Sequence, residues 1–456
     1  MRLLALLLLI TTVSYGQRPF SLEEAIDYAV ANSSKMKLAE LDIESAEGQI
    51  VEFRAIGMPQ INGSVNYQYY IEIPVNPVPD FITPSVYNIL VNEGVPGVEP
   101  FQGPPEVFEF TIFQRNNLNA GIEGSWLLFD GSYLSGLKAA KLYRELTRKS
   151  LDVEAEQIRA DVTKAYMNIL IAEENKKTLA NNLANIEKAL KETRAYYNEG
   201  LVEQLDVSRI ELSYENVKTE YEKLDQFIEI SYNLLKFQMT FPLEEEISIT
   251  EDLELLVDKL KVENADLTEE LDLGNRAQFA QIESNLALNE MNVERLKNGY
   301  LPSLKARANY NQLMQRADLF DGNELGFIPQ ASVSLGINIP IIDGGMKKGQ
   351  IQQAKVDIEK IKIQRNEFSR SVNLQVQNAR MQYINARKTL ENRERALEIV
   401  EDIYNKTSIK FKEGVGSSIE LTQAESQLYE AQANHINALY DLLISKTDLD
   451  IALGNI

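Results

Sequence analysis

Two hydrophobic periodicities alternate along the chain and predict helices and strands in a repeated order. Apolar and polar residues alternate at a period of two near residues 60–73, 108–129, 303–314 and 330–342. Strict alternation of this kind predicts strands with one apolar face. Between these segments the apolar residues recur at steps of three and four, which predicts helices. Each half of the chain is therefore predicted to form helix, strand, loop, strand, long helix, tight turn and helix.

The predicted helices are long, and one pair of them carries a heptad pattern. Ser21 and Glu24 have the spacing of a capping box, so the first helix is predicted to begin there and to run to about Ile56. A heptad seam sustained over the helices on either side of Gly200 predicts a coiled coil. The seam consists of Ala155, Ile158, Val162, Ala165, Ile169, Ala172, Leu179, Leu183, Ile186, Leu190 and Tyr197, followed by Val207, Ile210, Tyr214, Val217, Tyr221, Leu224, Ile228 and Leu235.

The chain repeats itself once, at a distance of about half its length. The sequence Leu-Leu-Phe-Asp-Gly at 127–131 corresponds to Pro-Ile-Ile-Asp-Gly at 340–344, and the turn at Gly200 corresponds to the turn at Gly414. The first copy contains an additional proline-rich insertion, which is predicted to be an external loop. The predicted division is a signal peptide (1–16), a first repeat (17–242, with its hairpin at 60–129), an equatorial linker (243–266) and a second repeat (267–456, with its hairpin at 303–342).

Composition and charge exclude several functional classes. The 456 residues contain no cysteine, one histidine and a net charge of −22. Thiol catalysis, thiolate metal sites and the common multi-histidine metal sites are therefore excluded. The negative charge argues against binding of nucleic acid, whose phosphates would be repelled. We expect no catalytic residue, no cofactor and no metal ion.

The N-terminus predicts export across the inner membrane. Arg2 precedes the apolar run Leu3–Ile10, and Ser14-Tyr15-Gly16 supplies small residues before a cleavage site. No later apolar run reaches the ~20 residues of a transmembrane helix. If the exported chain crosses a membrane, it must do so as a closed β-barrel. Four strands are fewer than the ~8 of the smallest membrane barrels, so several copies must close the barrel together.

Other interpretations of these patterns remain open. A soluble amphipathic sheet has the same alternation, although the polar-faced helices offer little apolar surface to cover it. A trimeric coiled-coil adhesin would also contribute four strands per chain, but grouped at its C-terminus. A structural helical protein or an enzyme of the periplasm would need a pocket with convergent titratable groups, and no catalytic motif points to one.

The ordered set of motifs resembles the TolC-like outer-membrane efflux factors over essentially the whole mature chain. The resemblance lies in Ser-Leu-Glu-Glu-Ala at 21–25, in the two strand-to-helix junctions at 128–131 and 340–345, and in the paired turns 200–207 and 414–421. It implies a mostly α-helical homotrimer, in which a 12-stranded β-barrel with four strands per chain is continuous with a coiled-coil α-helical barrel.

The resemblance also implies a location, a function and partners. The protein would lie in outer-membrane lipid and extend into the periplasm. It would be the passive exit duct of a tripartite efflux or type I secretion system, without enzymatic activity. Its partners would be a periplasmic membrane-fusion adaptor and an inner-membrane pump of the RND, ABC or MFS type. The sequence does not specify the pump class or the substrate.

The paired turns contain the candidate residues for gating and docking. In the family, a tyrosine and an arginine of the second turn hold an aspartate that matches Asp206; the corresponding residues here are Phe411 and Gly416, which cannot do so. Asp206 and Glu420 are interpreted either as helix caps or as a ring of carboxylates at the periplasmic mouth. The remaining candidates are Gly200 and Gly414 as turn residues and Leu201, Val202 and Val415 as an exposed contact surface. The net charge predicts a channel that prefers cations.

Overall fold

The computed structural model describes residues 18–455 apart from 105, 112, 254–255, 258–266, 268, 319 and 321–325. The predicted signal peptide and part of the predicted linker (254–255 and 258–266) lie outside these described residues. In chain order the strands and helices are β1 (Arg18–Phe20), α1 (Leu22–Asn32), α2 (Ser34–Ile56), β2 (Gln60–Tyr69), β3 (Asn76–Pro79), α3 (Ile82–Asn92), β4 (Val107–Phe110), β5 (Asn116–Phe129), α4 (Gly131–Asn198), α5 (Gln204–Met239), β6 (Ile247–Ile249), α6 (Ala277–Asn298), β7 (Ser303–Arg316), β8 (Ile328–Asn338), α7 (Met346–Lys412) and α8 (Ser418–Leu453).

The chain forms two compact units, and each draws on both predicted repeats. One unit comprises the described parts of Met1–Gly48, Lys141–Glu290 and Ala354–Ile456, and the other comprises Gln49–Ala140 and Met291–Gln353. We call them the helical unit and the sheet unit. The repeat-based division of the sequence is of a different kind and stays a prediction.

The sheet unit contains one four-stranded antiparallel sheet in the order β2-β5-β7-β8. The alternation predicted these four strands, but each strand differs from the prediction at one or both ends, and β7 ends at Arg316 rather than at 314. β2 ends at Tyr69 rather than 73, β8 runs from Ile328 to Asn338 rather than from 330 to 342, and β5 begins at Asn116 rather than at 108. Residues 107–110 instead pair with β3 in a separate two-stranded ribbon, because the insertion has its own hydrogen-bonded partner.

The insertion between β2 and β5 contains a helix that the sequence did not predict. α3 begins after Asp80, whose carboxylate accepts hydrogen bonds from the backbone N–H of Ile82 at 3.0 Å and of Thr83 at 2.9 Å. Side chain-to-backbone bonds of this kind satisfy amides at the start of a helix that have no intrahelical acceptor. Of the prolines in this predicted external loop, Pro84 lies in the first turn of α3, and the others among the described residues lie outside the helix.

The helical unit follows the predicted helices closely, with one interruption. The capping box at Ser21 and Glu24 is confirmed, with the Glu24 carboxylate accepting from the Ser21 N–H at 2.8 Å. The single helix predicted from Ser21 to about Ile56 is wrong, because Ser33 adopts extended backbone angles (φ −61°, ψ 142°) and separates α1 from α2. The side chain of Ser33 then accepts from the Met36 N–H at 3.1 Å at the start of α2.

The predicted seam is buried along much of α4 and α5, and its polar members have partners. Thr193 is fully buried and its hydroxyl donates to the Ala189 carbonyl at 2.8 Å. Lys176 forms an ion pair with Asp225 of α5. The buried seam residues are Ile158, Val162, Ala165, Ile169, Ala172, Ile186, Leu190, Val207, Ile210, Val217 and Leu235. None of the described helices combines the length and the apolar character needed to cross a membrane.

Polar contacts connect the two repeats within the helical unit. The amide of Asn182 in α4 donates to the Gln432 side chain of α8 at 2.7 Å, and Lys164 lies 2.6 Å from the carboxylate of Asp448. A parallel pairing of β1 with β6, which the sequence did not predict, joins the N-terminal segment to the start of the linker region. The helices that carry the two candidate turns are thus held together within one unit.

Candidate functional site: the paired helix turns

The candidate residues lie in two short turns of the helical unit, residues 199–203 and 413–417, which we call the first and second tip turns. In the first, the N–H of Leu201 donates to the Tyr196 carbonyl at 2.9 Å and the N–H of Gly200 donates to the Tyr197 carbonyl at 3.0 Å. This pair of bonds is a Schellman motif, which requires a left-handed residue after the helix. Gly200 supplies it with φ +75°.

The second tip turn repeats this geometry. The N–H of Val415 donates to the Lys410 carbonyl at 3.0 Å, the N–H of Gly414 donates to the Phe411 carbonyl at 3.1 Å, and Gly414 also has φ +75°. Two copies of one backbone motif at corresponding positions account for both glycines as turn residues. A side chain with a Cβ resists positive φ, so both positions favour glycine.

Asp206 both caps a helix and contacts the second tip turn. Its carboxylate accepts from the Glu203 N–H at 3.1 Å at the start of α5. It also accepts a hydrogen bond from the hydroxyl of Ser418, the first residue of α8. Arg209 lies 3.8 Å from the same carboxylate and donates to the Ser418 hydroxyl at 3.5 Å. Asp206, Arg209 and Ser418 therefore form a polar cluster that joins the two turns.

Sequence reasoning missed Ser418 and Arg209. The family resemblance points to positions 411 and 416 as the partners of Asp206. In the structure the partners are instead Ser418, the first residue of α8, and Arg209, three residues after Asp206 on α5. The spacing of Asp206 and Arg209, three residues apart on a helix, is a signal for an ion pair that the sequence did contain. The contact with Ser418 has no such local signal.

Phe411 and Gly416, which cannot form the family's polar contacts, have packing roles instead. Phe411 is half-buried against a small apolar cluster between the helices, which we call the tip core. A Cβ added at Gly416 would lie 2.9 Å from the backbone nitrogen of Phe411 and 3.1 Å from the carbonyl carbon of Lys410. Position 416 therefore has no room for a side chain in this backbone conformation. The buried members of the tip core are Ile186, Leu190, Val207, Ile210 and Leu421.

Glu420 has the position of a cap residue but an exposed side chain. Its backbone N–H donates to the Ser417 hydroxyl at 3.2 Å, so Ser417 is the residue that caps α8. An acidic side chain in this first turn also interacts favourably with the positive end of the helix dipole. Capping and a charged mouth thus remain compatible for Glu420.

The tip turns expose large apolar side chains. Leu201 is 70% exposed and Val415 is 78% exposed, and their role as a contact surface stays a prediction. Val202 is only partly exposed, so it contributes less to the exposed apolar surface than predicted. Leu205 and Ile419, at the starts of α5 and α8, are each more than half exposed and extend the apolar surface. The sequence analysis did not include these two residues.

A buried glutamate lies next to the tip core. Glu425 of α8 is fully buried, and neither of its carboxylate oxygens has a hydrogen-bond partner among the described residues. Burial raises the pKa of Glu425 to about 7. Burial, together with the charge of this carboxylate, raises the pKa of the neighbouring Tyr404 and Tyr429. Within the described part of the chain, no group of three or more histidine, aspartate or glutamate residues is placed to hold a metal ion.

Comparison with known proteins identifies the family. The sequence matches the family described as "Outer membrane efflux protein" over residues 91–237 and 270–455. The outer membrane protein TolC of Salmonella enteritidis is 22% identical over 351 residues, which cover 75% of this chain and 70% of TolC. The toluene efflux pump outer membrane protein TtgC of Pseudomonas putida is 23% identical over 326 residues, which cover 68% of this chain and 65% of TtgC.

A solved structure supports the same assignment at the level of the fold. The crystal structure of CusC has a TM-score of 0.72 at 14% identity, and the match covers 96% of this chain and 92% of CusC. At this identity the likeness shows the fold, and the family match over most of the chain shows the membership. The chain belongs to the outer membrane efflux protein family and has the fold of its outer-membrane channels, with a helical barrel and a β-barrel.

Proposed function

We propose that three copies of this chain form a passive exit duct, which receives substrates from an inner-membrane pump and a periplasmic adaptor and releases them across the outer membrane. The observation that carries the proposal is the four-stranded sheet, in which β2 and β8 are edge strands among the described residues. Unpaired backbone groups at an open edge in lipid cost several kcal/mol each. Pairing of β8 in one copy with β2 in the next removes every edge.

The side chains of the sheet support a place in lipid. One face carries apolar residues that are highly exposed within the chain, and the other carries mainly serine, asparagine and glutamine. A large exposed apolar surface marks a contact with lipid or with protein. An apolar outer face and a polar lumen are the arrangement of outer-membrane barrels. The exposed apolar residues on that face include Ile61 (75%), Val65 (72%), Val333 (82%), Leu335 (71%) and Ile337 (67%).

Cysteine cross-linking tests the assembly, because the chain has no native cysteine. We expect Ser64→Cys in β2, combined with single cysteines placed along β8, to give covalent dimers and trimers after oxidation, and the purified trimer to conduct ions in planar bilayers. The control is Ser64→Cys alone, which should remain uncross-linked because β2 then faces a strand without cysteine. A monomer that closes its own barrel, or one that links β2 to β8 within a single chain, would contradict the proposal.

The tip turns are proposed as the docking surface for the adaptor. Leu201 and Val415 are exposed apolar residues at corresponding positions of the two turns, and no part of the described chain covers them. We expect cysteines at these positions to capture a periplasmic adaptor with a thiol-reactive cross-linker in intact cells. Glu401→Cys, an exposed position within α7, serves as the control. Equal capture at Glu401, or no capture at the turns, would contradict this assignment.

The duct is proposed to have no catalytic activity of its own. Its candidate residues act through backbone turns, hydrogen bonds between helices and exposed apolar contacts. The energy for transport would then come from the pump, and the channel would contribute a path and a gate.

A further inference from the structure

The polar face of the four-stranded sheet carries a pair of cationic residues. Successive residues of a strand point to opposite faces, so Lys305 and Arg307 of β7 share a face and lie roughly 7 Å apart along the strand. Glu123 of β5 has the same orientation, because it pairs with Asn309. The chain as a whole contains 68 acidic and 46 basic residues, so an excess of positive charge on this face is opposite to the average.

The residues beside the two cations in the sheet are uncharged. Arg307 pairs with Ser125 on one side and with Ser334 on the other, and Lys305 pairs with Leu127 and Gly336. No described carboxylate lies within ion-pair distance of either cation. Glu123 lies two residues before Ser125 on β5, where it pairs with Asn62 on one side and with Asn309 on the other.

One further carboxylate, Asp130, interacts electrostatically with Lys305. Its carboxylate lies at the start of α4, where it accepts hydrogen bonds from the Ser132 hydroxyl at 2.6 Å and from the Tyr133 N–H at 2.9 Å. The negative charge of Asp130 therefore lies at the N-terminus of α4, where it interacts with the helix dipole.

The two cations also line a small cavity at one end of the sheet. It has a volume of about 240 Å³, and its lining includes Lys305, Arg307, Glu123, Gln60 and Ser125. This volume is large enough for a small oxyanion with its water. Guanidinium and ammonium groups bind carboxylate, phosphate and sulfate, and the guanidinium can do so through two parallel hydrogen bonds.

We infer that Lys305 and Arg307 form a cationic ring in the lumen of the barrel, which binds anionic groups of the transported substrate. The inference rests on the proposed function, since three copies must close the barrel with the polar face inside. The trimer then brings six cations and three Glu123 carboxylates into neighbouring rows. Walls of low dielectric around a water-filled lumen focus this field, so anionic groups become concentrated at the ring.

The tip turns of the helical unit carry the opposite charge. Asp206 and Glu420 are acidic, and the first tip turn adds Glu199 and Glu203.

The experiment uses the purified trimer in planar bilayers with tripolyphosphate added to the barrel side. We expect Lys305→Gln with Arg307→Gln to raise the concentration for half-maximal block at least about tenfold. The matched control, Lys305→Arg with Arg307→Lys, keeps both charges and should keep the block. Glu123→Gln removes the one acid of these rows and should strengthen the block several-fold.

The possible outcomes of this experiment test the cationic ring and the proposed duct separately. A wild-type channel that conducts but shows equal block with and without the two cations would overturn the ring and leave the duct intact. Weaker block in Glu123→Gln would also overturn it. A trimer that does not conduct at all would overturn both the ring and the proposed function. The trimer mass in detergent shows that each variant has assembled before its block is compared.

Discussion

Replacing Glu425 by glutamine is expected to reduce the pH dependence of stability in the helical unit between about pH 4.5 and 7. Glu425 is fully buried without a hydrogen-bond partner among the described residues, and its pKa is raised from 4.5 to about 7. In this interval the folded protein keeps a proton on Glu425 that the unfolded chain has released. The contribution of Glu425 to stability therefore falls as pH rises from about 4.5 to about 7 and is constant above that interval.

The size of the effect follows from the shift in pKa. One pKa unit corresponds to about 1.4 kcal/mol, so the charged carboxylate costs roughly 3 kcal/mol per copy at pH 8. Glutamine has nearly the same shape and remains neutral, although its amide is still a buried polar group. We therefore expect Glu425→Gln to be more stable than the wild type at pH 8 and similar to it at pH 5.

Thermal unfolding of the purified protein at pH 5 and pH 8, followed by circular dichroism, measures this difference. Glu430→Gln is the matched control, because Glu430 is an exposed glutamate of the same helix and should change little. The prediction fails if Glu425→Gln keeps the wild-type pH dependence, or if it destabilises the protein at pH 8. The second result would mean that the carboxylate has a partner in the assembled protein.

The parts of the fold that the sequence predicted are those specified by neighbouring residues. The seam from Ile158 to Leu235, the capping box at Ser21 and the turns at Gly200 and Gly414 depend on spacings of three to seven residues or on one left-handed glycine. Alternation also located all four long strands. The family match then confirmed the resemblance on which the fold of the assembly depended.

The parts that the sequence missed depend on contacts between distant segments or on competing local geometry. The sequence predicts a single strand over 108–129 because β4 and β5 are both apolar. Only the pairing of β4 with β3 separates the two strands. The residues on both sides of Ser33 have a helical pattern, so the pattern does not reveal the break there. The hydroxyl of Ser33 nevertheless caps the next helix. Gly416 was interpreted as a missing latch residue, whereas the close approach of the Lys410 and Phe411 backbone excludes a side chain.

Glu425 shows a signal that the sequence contained but that was not used. It lies four residues after Leu421 and three before Leu428, both of which are buried on α8. A carboxylate in such an apolar series contradicts the pattern around it, and contradictions of this kind are frequent at functional sites. The Asp206–Ser418 contact offers no comparable signal, because its two residues are 212 positions apart.

Removing the contact between Asp206 and Ser418 is expected to shift the channel strongly towards its open state. Ser418 is 2% exposed, and its hydroxyl donates to the carboxylate of Asp206, whose side chain is 24% exposed. A hydrogen bond to a charged group contributes about 1.5–3 kcal/mol. If the two tip turns separate when the mouth opens, three copies lose three such bonds together, which sums to roughly 5–9 kcal/mol per trimer.

We expect Ser418→Ala and Asp206→Asn each to increase the open fraction of single channels in planar bilayers by more than tenfold. The double variant should add little to the larger single effect, because both substitutions remove the same contact. The trimer mass must be unchanged, since neither residue lies in the sheet. An Arg at position 416 is not expected to restore closure, because a Cβ there has no room.

Glu420→Gln is the control that decides between the two interpretations of the acidic tip residues. Glu420 lies two residues after Ser418, is exposed, and its backbone rather than its side chain takes part in the cap. If repulsion among carboxylates controlled the mouth, removing this charge would favour closure, and Asp206→Asn would favour closure as well. The hydrogen-bonded cluster predicts the opposite sign for Asp206→Asn, because the variant loses a charged acceptor for Ser418 and the ion pair with Arg209. The direction of the change in open fraction for Asp206→Asn therefore distinguishes a latch from a ring of repelling charges.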